Sequence, residues 1–268
     1  MPLVRLPEMR QLLKYLQHVL NAKRGGHGIH SPFAYRLCEE IFYNHKTFYE
    51  FETLENLRAE LLKNTSAIEI RDLGAGSKKL QTRVRRVGDI AKLGISSRKQ
   101  SQLLFRLINY FDFKTSIELG TSLGLNTLYM AQANKKGEVY SIEGSENLSA
   151  FAAELARKAH ISNIQFLQGN FDTVLPELLK TIPTVDLAYI DGNHSYNATM
   201  RYFEVLLNKT HQHSILVFDD IYWSKGMTLA WEEIKQHPRV RLSIDTFYSG
   251  YVFFREEMKE KIELKLKL

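Results

Sequence analysis

The chain is expected to fold as an α/β protein. Seven strands form a mostly parallel sheet ending in an antiparallel strand, with helices on both faces and a helical cap at the N-terminus. Three observations predict this. Beyond residue 98, short apolar runs alternate with segments of helical period. Those runs are apolar throughout rather than at every second residue, as in parallel strands covered on both faces. Near the C-terminus, "RVRLSIDTFYSGYVFFREE" reads as two β-rich runs joined at Ser249-Gly250, a hairpin.

The elements follow in order. From Leu3 to Leu20, the residues Leu6, Met9, Leu12, Leu13, Leu16, Val19 and Leu20 recur at helical spacing and make one apolar face. "NAKRGGHGIHSP" (21–32) ends that helix with glycines and a proline. Two more helices are expected over Phe33–Phe42 and near Phe51–Leu62. Residues 74–100 are polar and basic, a linker with short helical pieces. The chain thus divides into a cap, arm and linker over 1–97 and an α/β domain over 98–268. In the second part, strands are expected at 115–120, 137–144, 163–169, 185–192 and 213–220. Helical patterns such as "ENLSAFAAELARKAH" separate them.

Composition narrows the class. The 268 residues are 44% hydrophobic and 25% charged, as in soluble globular proteins. Cys38 is the sole cysteine, so an internal disulfide framework and a Cys-based zinc site are excluded, and a cytoplasmic location is expected. No apolar run approaches the roughly 18 residues of a membrane span, and the N-terminus does not read as a secretory signal. The net charge is +6 and the pI about 9.2. The excess is scattered over Lys78–Lys79, Arg83–Arg86 and the tail "KEKIELKLKL", without interleaved aromatics, so it reads as solvated surface rather than a nucleic-acid groove.

The chemistry gathers where strands end. In open α/β sheets, ligands bind outside the carboxyl ends of the strands. Successive ends carry Glu118, Gly120, Thr121, Ser122 and Gly124; Glu143, Gly144 and Ser145; Asn170 and Phe171; Asp191 and His194; and Asp219 and Asp220. One or two acids can be turn formers or helix caps; acids at four ends converge on one crevice. Glu143 is placed to accept two hydrogen bonds from a ribose diol, and the glycines permit close backbone approach. The loop is neither G-x-G-x-x-G nor a Walker loop, and its acid is wrong for a diphosphate. A cationic nucleoside cofactor, S-adenosylmethionine, suits it.

The run "SIELGTSLGLNTLYMA", "YSIEGSE", "LQGNFDTVLPELL", "VDLAYIDGNHSYNATMRYFEVLL" and "VFDD" resembles the class I S-adenosylmethionine-dependent methyltransferases, which share a Rossmann-like sheet. It is most similar to metal-dependent O-methyltransferases of the catechol and caffeoyl-CoA type and to macrolide-sugar O-methyltransferases. The resemblance covers about Gln100 to Arg255, and the leader "GGHGIHSPFAYRL" resembles uncharacterised bacterial members. It implies that Glu118 and the Gly120–Gly124 loop face the methionine part of the cofactor, that Glu143 holds the ribose, and that Asn170 and Phe171 border the adenine. Asn126 stands where the family often has serine or threonine. The resemblance also implies a divalent metal, Mg²⁺ by ligand hardness, on Asp191, Asp219 and Asp220. The alternative has Asp219 and Asp220 capping the next helix and Asp191 starting a turn. His194 is either a general base, as in the sugar relatives, or a turn residue bonded to backbone. Tyr196, Tyr222 and Trp223 either wall a substrate or belong to the core.

The resulting expectation is an enzyme that methylates a hydroxyl oxygen of a small molecule, with metal assistance. Methylation of nitrogen or RNA, and a cofactor-binding interaction protein, are the rival readings. The apolar face of the first helix is expected to form a homodimer. One further motif competes: "IRDLGAGS" (70–77) imitates a cofactor loop. No apolar strand follows it to deliver a second acid, so Gly74–Ser77 is expected to be a turn between cap and sheet.

Overall fold

In the computed structural model, residues 9–23, 28–70 and 84–268 are described. The "DLGAGSKK" segment and His27 lie outside the described residues, as do Leu3 and Leu6 of the first helical stretch.

The N-terminal part contains α1 (Met9–Asn21), α2 (Pro32–Leu37) with a π-helical extension over Cys38–Phe42, and α3 (Tyr49–Lys63). A two-stranded antiparallel pair, β1 (Ala67–Glu69) and β2 (Val84–Arg86), follows, then α4 (Val87–Gly94). Local sequence explains the starts. The Ser31 hydroxyl accepts from the Ala34 amide ahead of α2, with Pro32 at the first helical position, where its missing N–H costs nothing.

The remainder alternates: α5 (Arg98–Phe111), β3 (Thr115–Leu119), α6 (Leu125–Ala133), β4 (Glu138–Glu143), α7 (Glu146–Lys158), β5 (Ile164–Gln168), α8 (Phe171–Thr181), β6 (Val185–Ile190), α9 (Tyr196–Leu207), β7 (Thr210–Asp219), α10 (Lys225–Gln236), β8 (Leu242–Asp245), β9 (Ser249–Phe253) and β10 (Ile262–Lys265). The sheet order is β10-β8-β9-β7-β6-β3-β4-β5. β9 runs antiparallel to both β7 and β8, and the other pairings in this sheet are parallel.

Two details differ from the sequence reading. Among the described residues the sheet has eight strands, because the basic tail supplies β10: Leu264 and Leu266 are buried while Glu263 and Lys265 face solvent. The hairpin turn is Thr246–Tyr248, with Phe247 at φ 74, so Ser249 and Gly250 already belong to β9. Asp245 sets that turn by accepting from the Phe247 amide at 2.8 Å.

The sheet separates two apolar layers, and period-2 alternation assigns the strand residues to them. Leu187, Tyr189, Ile215, Val217, Tyr251 and Phe253 pack with α2 to α7. Ala188, Ile190, Leu216, Phe218 and Val252 pack with α8, α9 and α10. The N-terminal helices α2, α3 and α4 therefore complete one layer of the sheet's own core. α1 lies differently. Gln11 donates to the Trp223 carbonyl, Lys14 to the Thr228 hydroxyl at 2.9 Å, and His18 bonds the Leu266 carbonyl at 3.0 Å. Its leucines at 12, 13, 16 and 20 face solvent.

Candidate active site at the strand ends

The parallel strands end on one side of the sheet, and the carboxylates named from the sequence meet there. Glu118 is fully buried near the end of β3. Its Oε2 accepts from the Thr127 and Ser141 hydroxyls, the latter at 2.6 Å, while Oε1 has no hydrogen-bond partner among the described residues. Burial raises its pKa to about 7 against the two hydroxyl bonds, and Glu143 adds to the rise.

The loop after β3 is built by packing. Gly120 has φ 104, and a Cβ there would fall 2.1 Å from the Asp191 carbonyl oxygen. Gly124 has φ 83, and a Cβ there would fall 2.7 Å from Cβ of Ala152 in α7. The sequence reading assigned these glycines to ligand approach; within the protein they allow β6 and α7 to close on the loop. Ser122 sits between them at φ 52. The buried Thr121 hydroxyl pairs with that of Ser141 at 2.6 Å, so this side chain turns into the core.

Glu143, at the end of β4, is oriented by two backbone amides: Ser122 N–H donates to Oε2 at 2.8 Å and Ser145 N–H to Oε1 at 2.9 Å. That fixes the carboxylate across the mouth of the β3 loop. Gly144 accepts from Gln168 at 3.2 Å, and the buried Ser145 hydroxyl has no hydrogen-bond partner among the described residues. Asn170 caps α8 by accepting from the Asp172 amide at 2.9 Å. Its side-chain oxygen thus serves the helix, which limits the adenine contact expected of it. Phe171 lies against Gly192, where a Cβ would fall 2.5 Å from its ring, and meets Tyr202 edge-on at 6.0 Å.

After β6 and β7 the acids converge. Asp191 Oδ2 accepts from the Tyr189 hydroxyl at 3.2 Å, and its Oδ1 lies 3.7 Å from His194 Nε2. Asp219 accepts from the Ser249 hydroxyl. Burial pushes Asp191 well above the usual carboxylate range, with Asp219, Asp220 and Glu118 adding to it. Burial and Asp220 raise Asp219 to about 7. Every charge named in these shifts is negative, so the crevice is a one-signed field in a desolvated setting. Burial lowers the pKa of His194, with Asp220 opposing, which favours the neutral imidazole.

The capping alternative for Asp219 and Asp220 fails, because Ser224 caps α10 by accepting from the Met227 amide at 3.0 Å. The hard oxygen donors suit Mg²⁺ chemically. Yet among the described residues no three His, Cys, Asp or Glu side chains are gathered as a metal-ligand set.

Sequence reasoning missed the groups that support Asp191. The fully buried Tyr189 also bonds the Ser96 hydroxyl at 2.9 Å. Ser96 accepts from Asn126 at 2.6 Å, and Asn126 accepts from Ser101 at 2.5 Å. Arg58 of α3 donates to the Ser96 carbonyl at 2.7 Å and to the Ser101 hydroxyl at 3.0 Å. Asn126 is thus a bridge between the linker and α5. Tyr189 in "YIDG" was legible only as an apolar strand residue. Of the aromatics, the Tyr222 hydroxyl donates to Asp245, and Trp223 is 39% exposed.

Comparison with known proteins agrees with this geometry. Residues 117–221 match a family model described as a methyltransferase domain. The chain is 28% identical over 128 residues to an uncharacterized protein of Acanthamoeba polyphaga mimivirus, covering 44% of this chain and 57% of that protein. It is 33% identical over 88 residues to a protein arginine N-methyltransferase of Oryza sativa subsp. japonica, covering 32% of this chain and 23% of the rice enzyme. The match thus spans about half of the first relative and a quarter of the second. Among solved structures, the O-methyltransferase TomG from Streptomyces achromogenes, in complex with S-adenosylmethionine, superposes with a TM-score of 0.57 at 15% identity, covering 83% of this chain and 95% of TomG. Residues 117–221 thus match the model of a methyltransferase domain, and the chain around them shares its fold with TomG.

Proposed function

We propose that the chain binds S-adenosylmethionine at the ends of β3, β4 and β6 and transfers its methyl group to a hydroxyl oxygen of a small molecule. One observation carries this reading: the carboxylates raise one another's pKa around the buried Glu118, whose Oε1 has no hydrogen-bond partner among the described residues. A ligand with ammonium and sulfonium charges relieves that repulsion, whereas a diphosphate would add to it. Glu143, fixed by two amides, would receive the ribose hydroxyls. TomG, an O-methyltransferase of the same fold, supports an oxygen acceptor.

His194 would accept the hydroxyl proton while the oxygen takes the methyl from sulfur. The S–C bond breaks as the O–C bond forms, leaving S-adenosylhomocysteine, a methyl ether and an imidazolium. The Asp191 carboxylate at 3.7 Å then faces that imidazolium. Proximity of the bound reactants supplies the rest of the acceleration. Asp191, Asp219 and Asp220 have the oxygen-donor chemistry to hold a divalent metal, although among the described residues they form no gathered ligand set.

The test is transfer of labelled methyl to catechols and vicinal-diol sugars, with and without EDTA. Turnover abolished by EDTA and restored by Mg²⁺ would assign those three aspartates to a metal; full turnover in EDTA would remove that role. A nitrogen acceptor is the second reading, favoured by the likeness to the rice enzyme over 88 residues. A guanidinium would also suit an acidic crevice, so arginine-containing peptides belong in the same assay. We further propose that the exposed leucines of α1 pair two copies of the chain.

A further inference from the structure

A cavity of about 570 Å³ opens at the opposite end of the sheet from the carboxylates. Ser249 pairs with Asp219 at the end of β7, whereas Phe253 pairs with Ile215 four residues earlier, and Arg255 lies two residues beyond. At strand spacing this places the cavity roughly 20 Å from the candidate active site.

Its lining combines the aromatic rings of Phe33, Tyr110 and Phe111 with the cations Arg36, Arg255 and Lys259. The Arg255 guanidinium lies 4.3 Å from the Phe33 ring centroid and 5.5 Å from that of Phe111. Its side chain is only 14% exposed, and its carboxylate contact, Glu257 at 3.5 Å, is long and comes from a half-exposed residue. Burial lowers its pKa, and the neighbouring charge of Arg36 acts in the same direction. Two guanidinium groups that repel each other beside aromatic rings are stabilised by a shared anion. Glu257 and Glu260 also line the cavity and set a limit on how much negative charge enters.

We propose that this cavity is a second binding site, for a small planar aromatic ligand that carries a phosphate or carboxylate. The ring stacks among Phe33, Tyr110 and Phe111, and the anion bridges Arg36 and Arg255, displacing Glu257. Such a ligand is repelled by the carboxylate crevice, so the two sites do not compete. The site stands independently of the proposed methyl transfer.

Fluorescence titration of the full chain with 1-naphthyl phosphate and 1-naphthoate tests this, with neutral 1-naphthol as control. At least one anionic probe is expected to saturate with a Kd below about 1 mM, and naphthol to bind at least about tenfold more weakly. Which anion binds identifies the ligand's charged group. Arg255→Met and the exposed Arg36→Gln should each weaken binding about tenfold or more, with unchanged thermal melting as the folding control. Binding should also weaken with salt. No saturation by either anion, equal binding of naphthol, or unchanged binding by the Arg36 variant would overturn the proposal.

Discussion

At the scale of single residues, the proposed cofactor site makes Glu118 a link between stability and S-adenosylmethionine binding. Its folded pKa of about 7 lies above the ordinary value of 4.5. The associated stability is fully present below pH 4.5 and is lost as pH rises through 7. Glu118→Gln should therefore stabilise the free protein at pH 8, by about 1–3 kcal/mol, with little change at pH 4.5. Denaturant melts at the two pH values check this. The same variant should weaken S-adenosylmethionine binding at pH 8 at least about tenfold, because the carboxylate that answers the cation is gone. In the wild type, affinity should rise between pH 6 and 8 as Glu118 ionises, and binding should release protons. His194 acts in the opposite sense. Burial lowers its pKa, so the acidic limb of kcat should fall below pH 6.5. His194→Ala should reduce kcat about 10²-fold or more and abolish that limb; an unchanged profile would remove the base.

Among elements, the loop after β3 owes its shape to its neighbours. Gly120→Ala would drive a methyl into the Asp191 carbonyl, and the residue's left-handed backbone forbids easy relief. A loss of at least about 2 kcal/mol is expected from chemical denaturation. Asn126→Leu should cost about 1–3 kcal/mol, because the Ser96 and Ser101 hydroxyls would each lose a buried partner. Much of this element scale was legible in the sequence. Continuous apolar runs gave the parallel strands, and acids at their ends gave the crevice, because buried strands and ligand-facing turns each leave a local pattern. The rest depended on distant contacts. The roles of Gly120 and Gly124 are set by Asp191 and Ala152, which no short motif displays. The tail "IELKLKL" has the alternation of a half-buried strand, but its lysines masked β10 as a charge patch. Asn126 and Tyr189 act through partners 30 and 93 residues away, Ser96 being common to both.

For the whole molecule, the cap and the sheet share one core layer, since α2, α3 and α4 pack with Leu103, Tyr189 and Phe253. Removing the cap should therefore expose one face of the sheet and lead to aggregation rather than to a smaller active enzyme. α1 shows the reverse pattern: polar residues bind it to the body and leucines point outward. Light scattering should find a dimer, and Leu13→Glu with Leu16→Glu should yield monomers that still bind cofactor. Among the described residues no helix is long and apolar enough to cross a membrane. The crevice at the strand ends is the proposed cofactor site. Calorimetric titration of the full chain with S-adenosylmethionine at pH 8 tests it most directly. Saturable one-to-one binding, lost or strongly weakened in Glu118→Gln, is the expected result; no binding by the folded wild type, or binding indifferent to that substitution, would contradict it.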